Sequence, residues 1–219
     1  MRYTTQSIND YIGVFLSELN ELFGNKVPLD LLHTLATEKY EELFKVGMDS
    51  STEFHTKFYD KYRAGWQDMV DAYETLIEKV IAPQMNEDFL YQKFPTMRFH
   101  IPNNVAVGLF HKDADFGHPK GEINYVLPLT NSDGTSSIWV ESEVDKGDFE
   151  PMLMVIGDLI QFNGNCLTHG NKVNETNRTR CSMDFRILPL SKYDEDNETS
   201  SVTKGTKFKE GAYYKKFTK

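Results

Sequence analysis

Residues 97–101 read Met-Arg-Phe-His-Ile, and apolar and polar side chains alternate along them. Successive side chains of an extended chain point to opposite faces, so this alternation is typical of a half-buried β-strand. The same period of two returns as far as residue 188, between turns rich in Gly, Asn and Asp. It predicts eight short strands. These are Met97–Ile101, Val105–His111, Ile123–Leu129, Ser137–Glu141, Glu150–Met154, Leu159–Asn163, Thr168–Lys172 and Thr179–Leu188.

The part of the chain before these strands has a helical period instead. Apolar side chains recur three and four residues apart from Ile8 to Leu22, from Pro28 to Gly47 and from residue 52 to Pro83. Ser7 and Asp10 predict a capping box at the start of the first helix. The third segment carries one apolar stripe, which we interpret as a packing surface: Phe58, Tyr62, Trp66, Met69, Tyr73, Leu76 and Val80.

Helices followed by short strands predict one mainly β domain of the α+β kind, a double-stranded β-helix (jelly roll, cupin-like) buttressed by helices. In this interpretation residues 1–95 form the helical buttress and residues 96–190 form the jelly-roll core with the active site. Residues 191–219 are polar and form a C-terminal tail or cover. A chain of 219 residues is usual for one barrel domain with added helices.

The composition restricts the class of partner. The chain has 24 Lys and Arg against 33 Asp and Glu, a net charge of -9, whereas nucleic-acid binding depends on clustered positive charge. No apolar run reaches the roughly 18 residues of a membrane span, and the N-terminus lacks the regions of a signal peptide. Cys166 and Cys181 are expected to be free thiols. We therefore expect a cytoplasmic protein with a small-molecule substrate and no nucleic-acid or membrane partner; the oligomeric state is unknown from the sequence.

Three side chains predict a metal site. His111 and Asp113 are two residues apart, so on an extended backbone both project from the same face. His169, at the start of another predicted strand, is the expected third ligand. Two imidazoles and one carboxylate on one side of a metal leave its other positions open, as in non-haem iron(II) oxygenases, where an oxo-acid and dioxygen enter. Asp115 also follows the pattern, but it is farther from His111 and enters a turn, so Asp113 is preferred.

A second polar pair lies in the last predicted strand. Arg180 and Ser182 share one strand face, and a planar guanidinium beside a hydroxyl suits bidentate binding of a carboxylate. The distal carboxylate of 2-oxoglutarate requires such a site. Taken singly, Arg180 has an ordinary explanation as part of an ion pair, and His169 as part of a hydrogen-bonded turn. A His-x-Asp pair, a later His and then Arg-x-Ser, in this order, predict a metal site and a cosubstrate site together.

Five stretches of this region resemble the phytanoyl-CoA hydroxylase-like superfamily of iron(II)- and 2-oxoglutarate-dependent dioxygenases, in particular its StrG-like branch from streptomycin biosynthesis. They are RFHIP (98–102), FHKDADFGHPKGEINYVLPLT (110–130), SSIWVESEVDKGDFEP (136–151), GDLIQFNGNCLTHG (157–170) and NRTRCSMDFRILP (177–189). The resemblance implies Fe(II) held by His111, Asp113 and His169, 2-oxoglutarate held by Arg180 with Ser182, and O2 as the other cosubstrate. It implies hydroxylation of a small polar metabolite with release of succinate and CO2.

Other polar residues are candidates for the walls of the site. Related enzymes often place a cosubstrate contact where Asn124 lies, so Asn124 is a candidate for binding 2-oxoglutarate. The candidates for contact with the substrate or for support of the ligands are Arg98, His100, His118, Trp139 and Arg186. Each has a structural alternative, such as a solvent-facing or core position in a strand, an exposed loop, or a charged pair with Asp184.

Two other functions stay open on the sequence alone. A cupin-type isomerase or epimerase has the same jelly roll and needs no arginine clamp. A non-catalytic carbohydrate-binding jelly roll would carry His111 and Asp113 as surface residues, since one architecture hosts many functions. Turnover without oxygen would favour the isomerase, and the lack of a bound iron would favour the binding module.

Overall fold

The computed structural model describes residues 1–37, 52–106, 109–202 and 205–219. In chain order the strands are β1 (Tyr3–Ser7), β2 (Phe89–Gln92), β3 (Thr96–His100), β4 (Ile123–Pro128), β5 (Ile138–Val140), β6 (Glu150–Pro151), β7 (Asp158–Phe162), β8 (His169–Asn171), β9 (Arg180–Pro189) and β10 (Tyr214–Phe217). The α-helices are α1 (Asn9–Leu22), α2 (Glu53–Arg63) and α3 (Gln67–Leu76). Shorter helical turns are Leu29–Leu35, Ile77–Ile81, Ala82–Gln84, Asp113–Phe116, Gly134–Ser136 and Leu190–Lys192.

The strands form two antiparallel sheets. In the larger sheet the order is β1-β7-β4-β9-β2-β10, and β3 pairs with β9. β9 pairs with β4 along one edge. Along its other edge, the first half of β9 pairs with β3 and the second half pairs with β2. The smaller sheet has the order β6-β5-β8. Two facing sheets of this kind form a double-stranded β-helix, the fold that the alternating pattern predicted.

The side chains of β9 alternate between the two faces of the larger sheet. On one face, apolar side chains pack with the helices in the main hydrophobic core: Cys181, Met183, Phe185 and Ile187. The other face is polar and carries Arg180, Ser182, Asp184 and Arg186. Val126 of β4 lies opposite Asp184 and packs against Val140 of the smaller sheet. The polar face of β9 therefore looks into the space between the two sheets.

The helices differ from the predicted ones at their ends. Ser7 is the last residue of β1, and Ile8 precedes α1 without a side-chain hydrogen bond, so the predicted capping box is wrong. The second predicted helix is a 3-10 helix, and its continuation to Gly47 lies outside the described residues. Gly65, with φ +98°, separates α2 from α3. The apolar stripe along both helices is buried as predicted. None of the helices in the described parts of the chain has the length and apolar character to cross a membrane.

The predicted strands are present as β3 to β9, with two exceptions. Glu150–Met154 keeps only its first two residues as β6. Val105–His111 is not a strand where the structure describes it; Val107 and Gly108 lie outside the described residues, and His111 forms an isolated bridge with His169. The sequence missed β1, β2 and β10. All four residues of β2 are buried, so that strand shows no alternation of polar and apolar side chains.

Both flanking parts of the chain contribute strands to the larger sheet. β1 and β2 come from residues 1–95, and β10 comes from residues 191–219. These two parts therefore do more than buttress and cover the jelly roll, because they extend its larger sheet. The division of the domain at residues 95 and 190 stays a prediction from the sequence.

The buried His55 is expected to make the fold sensitive to acid. Its Nδ1 is 2.7 Å from the hydroxyl of Thr52, and its Nε2 accepts from the backbone N–H of Phe99 at 3.3 Å. Burial, with a contribution from Arg98, lowers the pKa of His55 to about 3. The unfolded chain takes up this proton near pH 6.5, so the free energy of unfolding should fall by about 1.4 kcal/mol per pH unit as the pH drops below that value.

Urea denaturation at pH values between about 7.5 and 5 measures this effect, because a His with a lowered folded pKa destabilises the fold only on the acid side. The variant His55→Gln should be less stable than the wild type at the upper pH. Its stability should also fall less steeply toward the lower pH. Equal pH slopes for the two proteins would contradict the prediction.

Candidate metal centre

Backbone contacts bring His111, Asp113 and His169 together. His111 and His169 exchange both hydrogen bonds of one antiparallel bridge, with N to O distances of 2.9 Å in each direction. Lys112 is extended, with φ −101° and ψ 142°, and Asp113 then begins a 3-10 helix. The N–H of Asp113 donates to the carbonyl of Gly164 at 2.9 Å. The spacing of two therefore places His111 and Asp113 side by side although the backbone forms a bridge rather than a full strand.

Each histidine is held by one ring nitrogen and presents the other. The Nδ1 of His111 is 2.8 Å from the carbonyl oxygen of Leu109, and the Nδ1 of His169 is 3.0 Å from that of Leu167. A carbonyl oxygen only accepts, so Nδ1 carries a proton and Nε2 is the nitrogen left to face the cluster. The two Nε2 atoms lie 3.6 and 3.7 Å from Oδ1 of Asp113. The three potential ligand atoms lie within 4.8 Å of one another.

The two oxygens of the Asp113 carboxylate have different partners. Oδ2 accepts from Nε of Arg186 at 2.9 Å and from Nδ2 of Asn124 at 2.6 Å. Oδ1 faces the two histidines. Burial alone would raise the pKa of this carboxyl, but Arg186, His111 and His169 hold the pKa well below its usual value. Asp113 is therefore ionised and directs one oxygen toward the histidines.

These three residues fit a divalent first-row metal ion. Burial lowers the pKa of His169 and outweighs the opposing effect of Asp113, so the imidazole is neutral at neutral pH. Neutral imidazole nitrogen and carboxylate oxygen are ligands that non-haem iron(II) accepts. The carbonyl and guanidinium groups behind them orient them as outer-shell partners orient metal ligands. The chemistry of the donor set therefore agrees with the predicted iron site.

Asp115, the alternative carboxylate, lies outside this cluster. Its side chain is exposed, and its Oδ2 accepts from the backbone N–H of Lys112 at 3.0 Å. This bond closes the short 3-10 helix that begins at Asp113. The structure thus gives Asp115 a local role in the turn.

Arg180 and Ser182 lie together on the polar face of β9, and both are buried. NH1 of Arg180 donates to Oδ1 of Asn171 in β8 at 2.8 Å, so the guanidinium joins the larger sheet to the smaller one. Oγ of Ser182 is buried without a hydrogen-bond partner among the described residues. A buried hydroxyl without a partner is destabilising by roughly 1–3 kcal/mol. A carboxylate bound between the sheets would satisfy it.

Asn124 contacts the clustered carboxylate. Its Nδ2 donates to Oδ2 of Asp113 at 2.6 Å, and its Oδ1 has no partner among the residues described. The amide nitrogen carries a second N–H, so the contact of Asn124 with 2-oxoglutarate stays a prediction. Arg186, predicted to contact the substrate or support the ligands, takes the supporting position.

Arg98 and His100 face the space between the sheets. The register of β3 and β9 pairs Arg98 with Ser182 and His100 with Arg180, which lie on the polar face. Nε of Arg98 is 3.0 Å from Oδ1 of Asp184. His100 is fully buried, and burial, with a contribution from Arg180, lowers its pKa to about 3. Both residues therefore face the interior, which is one of the two positions that the sequence left open for them.

His118 and Trp139 contact protein groups other than the three clustered side chains. Nδ1 of His118 is 2.7 Å from Oε2 of the buried Glu122. The indole N–H of Trp139 donates to the carbonyl of Gly134 at 3.0 Å, and Nζ of Lys172 lies 3.3 Å from the centre of its ring. The structure thus gives both side chains protein partners, and their contact with a substrate stays a prediction.

Sequence reasoning missed three residues next to the site. Glu122 is buried between His118 and Arg186, and Tyr214 donates its hydroxyl proton to Glu122. The hydroxyl of Tyr213 lies 3.5 Å from NH1 of Arg186. Two adjacent tyrosines in a polar, lysine-rich tail were the available signal, but no period connected them to the site.

An antiparallel double-stranded β-helix with two histidines and one aspartate converging inside it defines the class of mononuclear non-haem iron(II) oxygenases that use 2-oxoglutarate. The chain belongs to the StrG family within this class. It is 39% identical over 167 residues to the streptomycin biosynthesis protein StrG of Streptomyces griseus, which covers 76% of this chain and 77% of that protein. No family model matches the chain.

Solved structures share the fold at low sequence identity. EctD from S. alaskensis in its apo form matches with a TM-score of 0.53 at 13% identity, over 97% of this chain and 81% of that chain. Apo HygX from Streptomyces hygroscopicus matches with a TM-score of 0.50 at 13% identity, over 90% of this chain and 88% of that chain. Both similarities concern the fold alone.

Proposed function

We propose that this chain hydroxylates a small polar metabolite and converts 2-oxoglutarate to succinate and CO2 with iron(II) and O2. The observation that carries the proposal is the convergence of His111, Asp113 and His169 between the sheets that also enclose Arg180 and Ser182. A metal site and a carboxylate site in one interior are what a chelating dicarboxylate cosubstrate needs.

The residues of the chain divide the work of binding. Nε2 of His111, Nε2 of His169 and Oδ1 of Asp113 would hold the iron, and Arg180 with Ser182 would hold the distal carboxylate of 2-oxoglutarate. When bound, iron and 2-oxoglutarate supply the oxidising chemistry that hydroxylates a C–H bond. The protein orients these groups and excludes water from them.

Burial makes the carboxylate site selective. Arg180 is enclosed between the sheets, where a charge-assisted hydrogen bond is stronger than in water. A guanidinium fork matches the two oxygens of a carboxylate, and the Ser182 hydroxyl adds one donor. A ligand without the distal carboxylate would lose the charge-assisted hydrogen bonds to Arg180. The site therefore favours a dicarboxylic oxo-acid over a monocarboxylic one.

The proposed substrate is a small polar molecule, and the proposed compartment is the cytoplasm. The polar side chains around the interior, Arg98 and His100 among them, favour a small polar substrate over an apolar one. Cys166 and Cys181 are free thiols, which agrees with a reducing cytoplasm.

The decisive experiment follows 2-oxoglutarate and oxygen together. Protein loaded with iron(II) should consume O2 and form succinate when given 2-oxoglutarate and a pool of polar metabolites, and one metabolite should gain an oxygen atom in the mass spectrum. Turnover that persists without oxygen would favour a cupin-type isomerase instead. Protein that binds neither metal nor 2-oxoglutarate would refute the proposal.

Ser182→Ala should weaken 2-oxoglutarate binding by at least about tenfold, because a hydrogen bond to a charged group contributes roughly 1.5–3 kcal/mol. Isothermal titration of the manganese-loaded protein measures the change. Ser191→Ala is a control, since its hydroxyl bonds Glu87 on the surface. Unchanged affinity in Ser182→Ala would show that the hydroxyl does not contact 2-oxoglutarate.

A further inference from the structure

The C-terminal segment, residues 205–219, packs onto β2 and β9, and β9 carries the arginine that contacts Asp113. β10 pairs with β2, which pairs with β9. Phe208 and Tyr214 form a small hydrophobic core with Leu90 of β2 and Leu188 of β9. Tyr213 and Tyr214 thereby come next to the polar end of β9. The segment is thus packed against the jelly roll, with two phenol groups beside the charged interior.

A buried carboxylate lies between this segment and the site. The side chain of Glu122 is fully buried, and its Oε1 accepts a hydrogen bond from the hydroxyl of Tyr214. Its Oε2 is 2.7 Å from Nδ1 of His118 and 3.8 Å from Nε of Arg186. Tyr214 therefore fixes one oxygen of Glu122 while the other oxygen faces Arg186.

Arg186 transmits this arrangement to the metal ligand. Its Nε and NH2 both lie 2.9 Å from Oδ2 of Asp113. Its NH1 lies 3.4 Å from Oε1 of Gln92 and 3.5 Å from the hydroxyl of Tyr213. The guanidinium group is planar and rigid, but the aliphatic part of the arginine side chain is flexible. The orientation of the guanidinium therefore depends on the groups around it.

The two carboxylates compete for the same guanidinium. Asp113 and Glu122 both face Nε of Arg186, the first at 2.9 Å and the second at 3.8 Å. Tyr214 and His118, which each contact one carboxylate oxygen, hold Glu122 in the more distant position. If Glu122 approached Arg186, the fork would turn away from Asp113, and the metal carboxylate would lose the partner that keeps its Oδ1 toward the histidines.

We propose that the C-terminal segment is a positioning element of the metal site, in which Tyr214 acts through Glu122 and Arg186 to orient Asp113. The proposal rests on the proposed metal-binding function. Outer-shell partners of metal ligands change metal affinity by about 10–100-fold when they are removed. The phenol of a residue near the end of the chain should therefore influence an ion held by residues 111, 113 and 169.

The test measures the dissociation constant for Mn(II) in four proteins: the wild type, Glu122→Gln, Tyr214→Phe and the double variant. Tyr214→Phe should bind Mn(II) several-fold more weakly, because it frees Glu122 to approach Arg186, whereas Glu122→Gln removes the competing carboxylate and should bind like the wild type. The double variant should bind no more weakly than Glu122→Gln, because both residues act in one chain of contacts. Tyr193→Phe removes a phenol oxygen of the same small core that accepts from the N–H of Glu210, and it should bind like the wild type.

A second readout separates positioning from general loss of stability. The visible spectrum of bound Co(II) should change shape in Tyr214→Phe, because the Asp113 carboxylate would no longer be held with its Oδ1 toward the two histidines. A purely structural effect would lower the melting temperature and leave that spectrum unchanged, and it would overturn the proposal. Wild-type affinity in Tyr214→Phe, or a double variant that binds as weakly as Tyr214→Phe alone, would also overturn it. Wild-type protein that fails to bind Mn(II) would instead refute the proposed function itself.

Discussion

Replacing Asp113 by alanine is expected to weaken Mn(II) and Fe(II) binding by at least about 100-fold, the upper end of what the loss of an outer-shell partner causes. The carboxylate is the anionic member of the cluster, and its Oδ1 lies 3.6 and 3.7 Å from the two Nε2 atoms. Without it, the two imidazoles would hold a divalent cation with no negative charge among the ligands. Equilibrium dialysis with metal analysis measures the loss, and succinate formation should disappear with it.

Asp115→Ala is the matched control for this variant. It removes the same group two residues along, from an exposed side chain that accepts from the N–H of Lys112. Its metal affinity should equal that of the wild type. In Asp113→Ala, Arg186 still lies near Glu122 and Asp184, so the buried guanidinium keeps anionic neighbours and the fold should persist. Equal metal binding by Asp113→Ala and the wild type would refute the assigned centre.

The His-x-Asp spacing located two of the three clustered side chains because it depends on one local property. Lys112 is extended, so the residues on either side of it project together even though a bridge replaces the predicted strand. The position of His169 followed from its place after an apolar strand. By contrast, the contact between Asp113 and Arg186 joins residues 73 positions apart, and no local pattern predicts which long polar side chain reaches which ligand.

Strands were also predicted where a local sequence pattern defines them and missed where distant contacts do. β9 was predicted because its apolar side chains face the helices and its polar ones face the interior. β2 is buried on both faces, so it lacks the alternation that would have identified it. β10 lies in a polar segment and gains its strand conformation by pairing with β2. Partners for edge strands depend on the tertiary fold, which a period of two does not encode.

Arg180→Met is expected to weaken 2-oxoglutarate binding by about 100-fold or more. Loss of one member of a buried charge pair costs roughly 2–5 kcal/mol, and the Arg180 guanidinium is proposed to be the partner of the distal carboxylate. Methionine has a similar volume and no charge, so it fills most of the space between the sheets. Isothermal titration of 2-oxoglutarate into the manganese-loaded protein, without oxygen, measures the change.

Two comparisons show whether the loss is specific to the cosubstrate. Arg178→Met removes an arginine two residues upstream, whose exposed side chain lies 3.4 Å from Asp30, and should leave 2-oxoglutarate affinity unchanged. Mn(II) binding by Arg180→Met should also be unchanged, since Arg180 is not part of the cluster of ligand atoms. Because the variant also loses the hydrogen bond from Arg180 to Asn171, urea denaturation measures its stability alongside the affinity. If the variant instead binds 2-oxoglutarate normally and unfolds more easily, Arg180 serves to join the two sheets through Asn171.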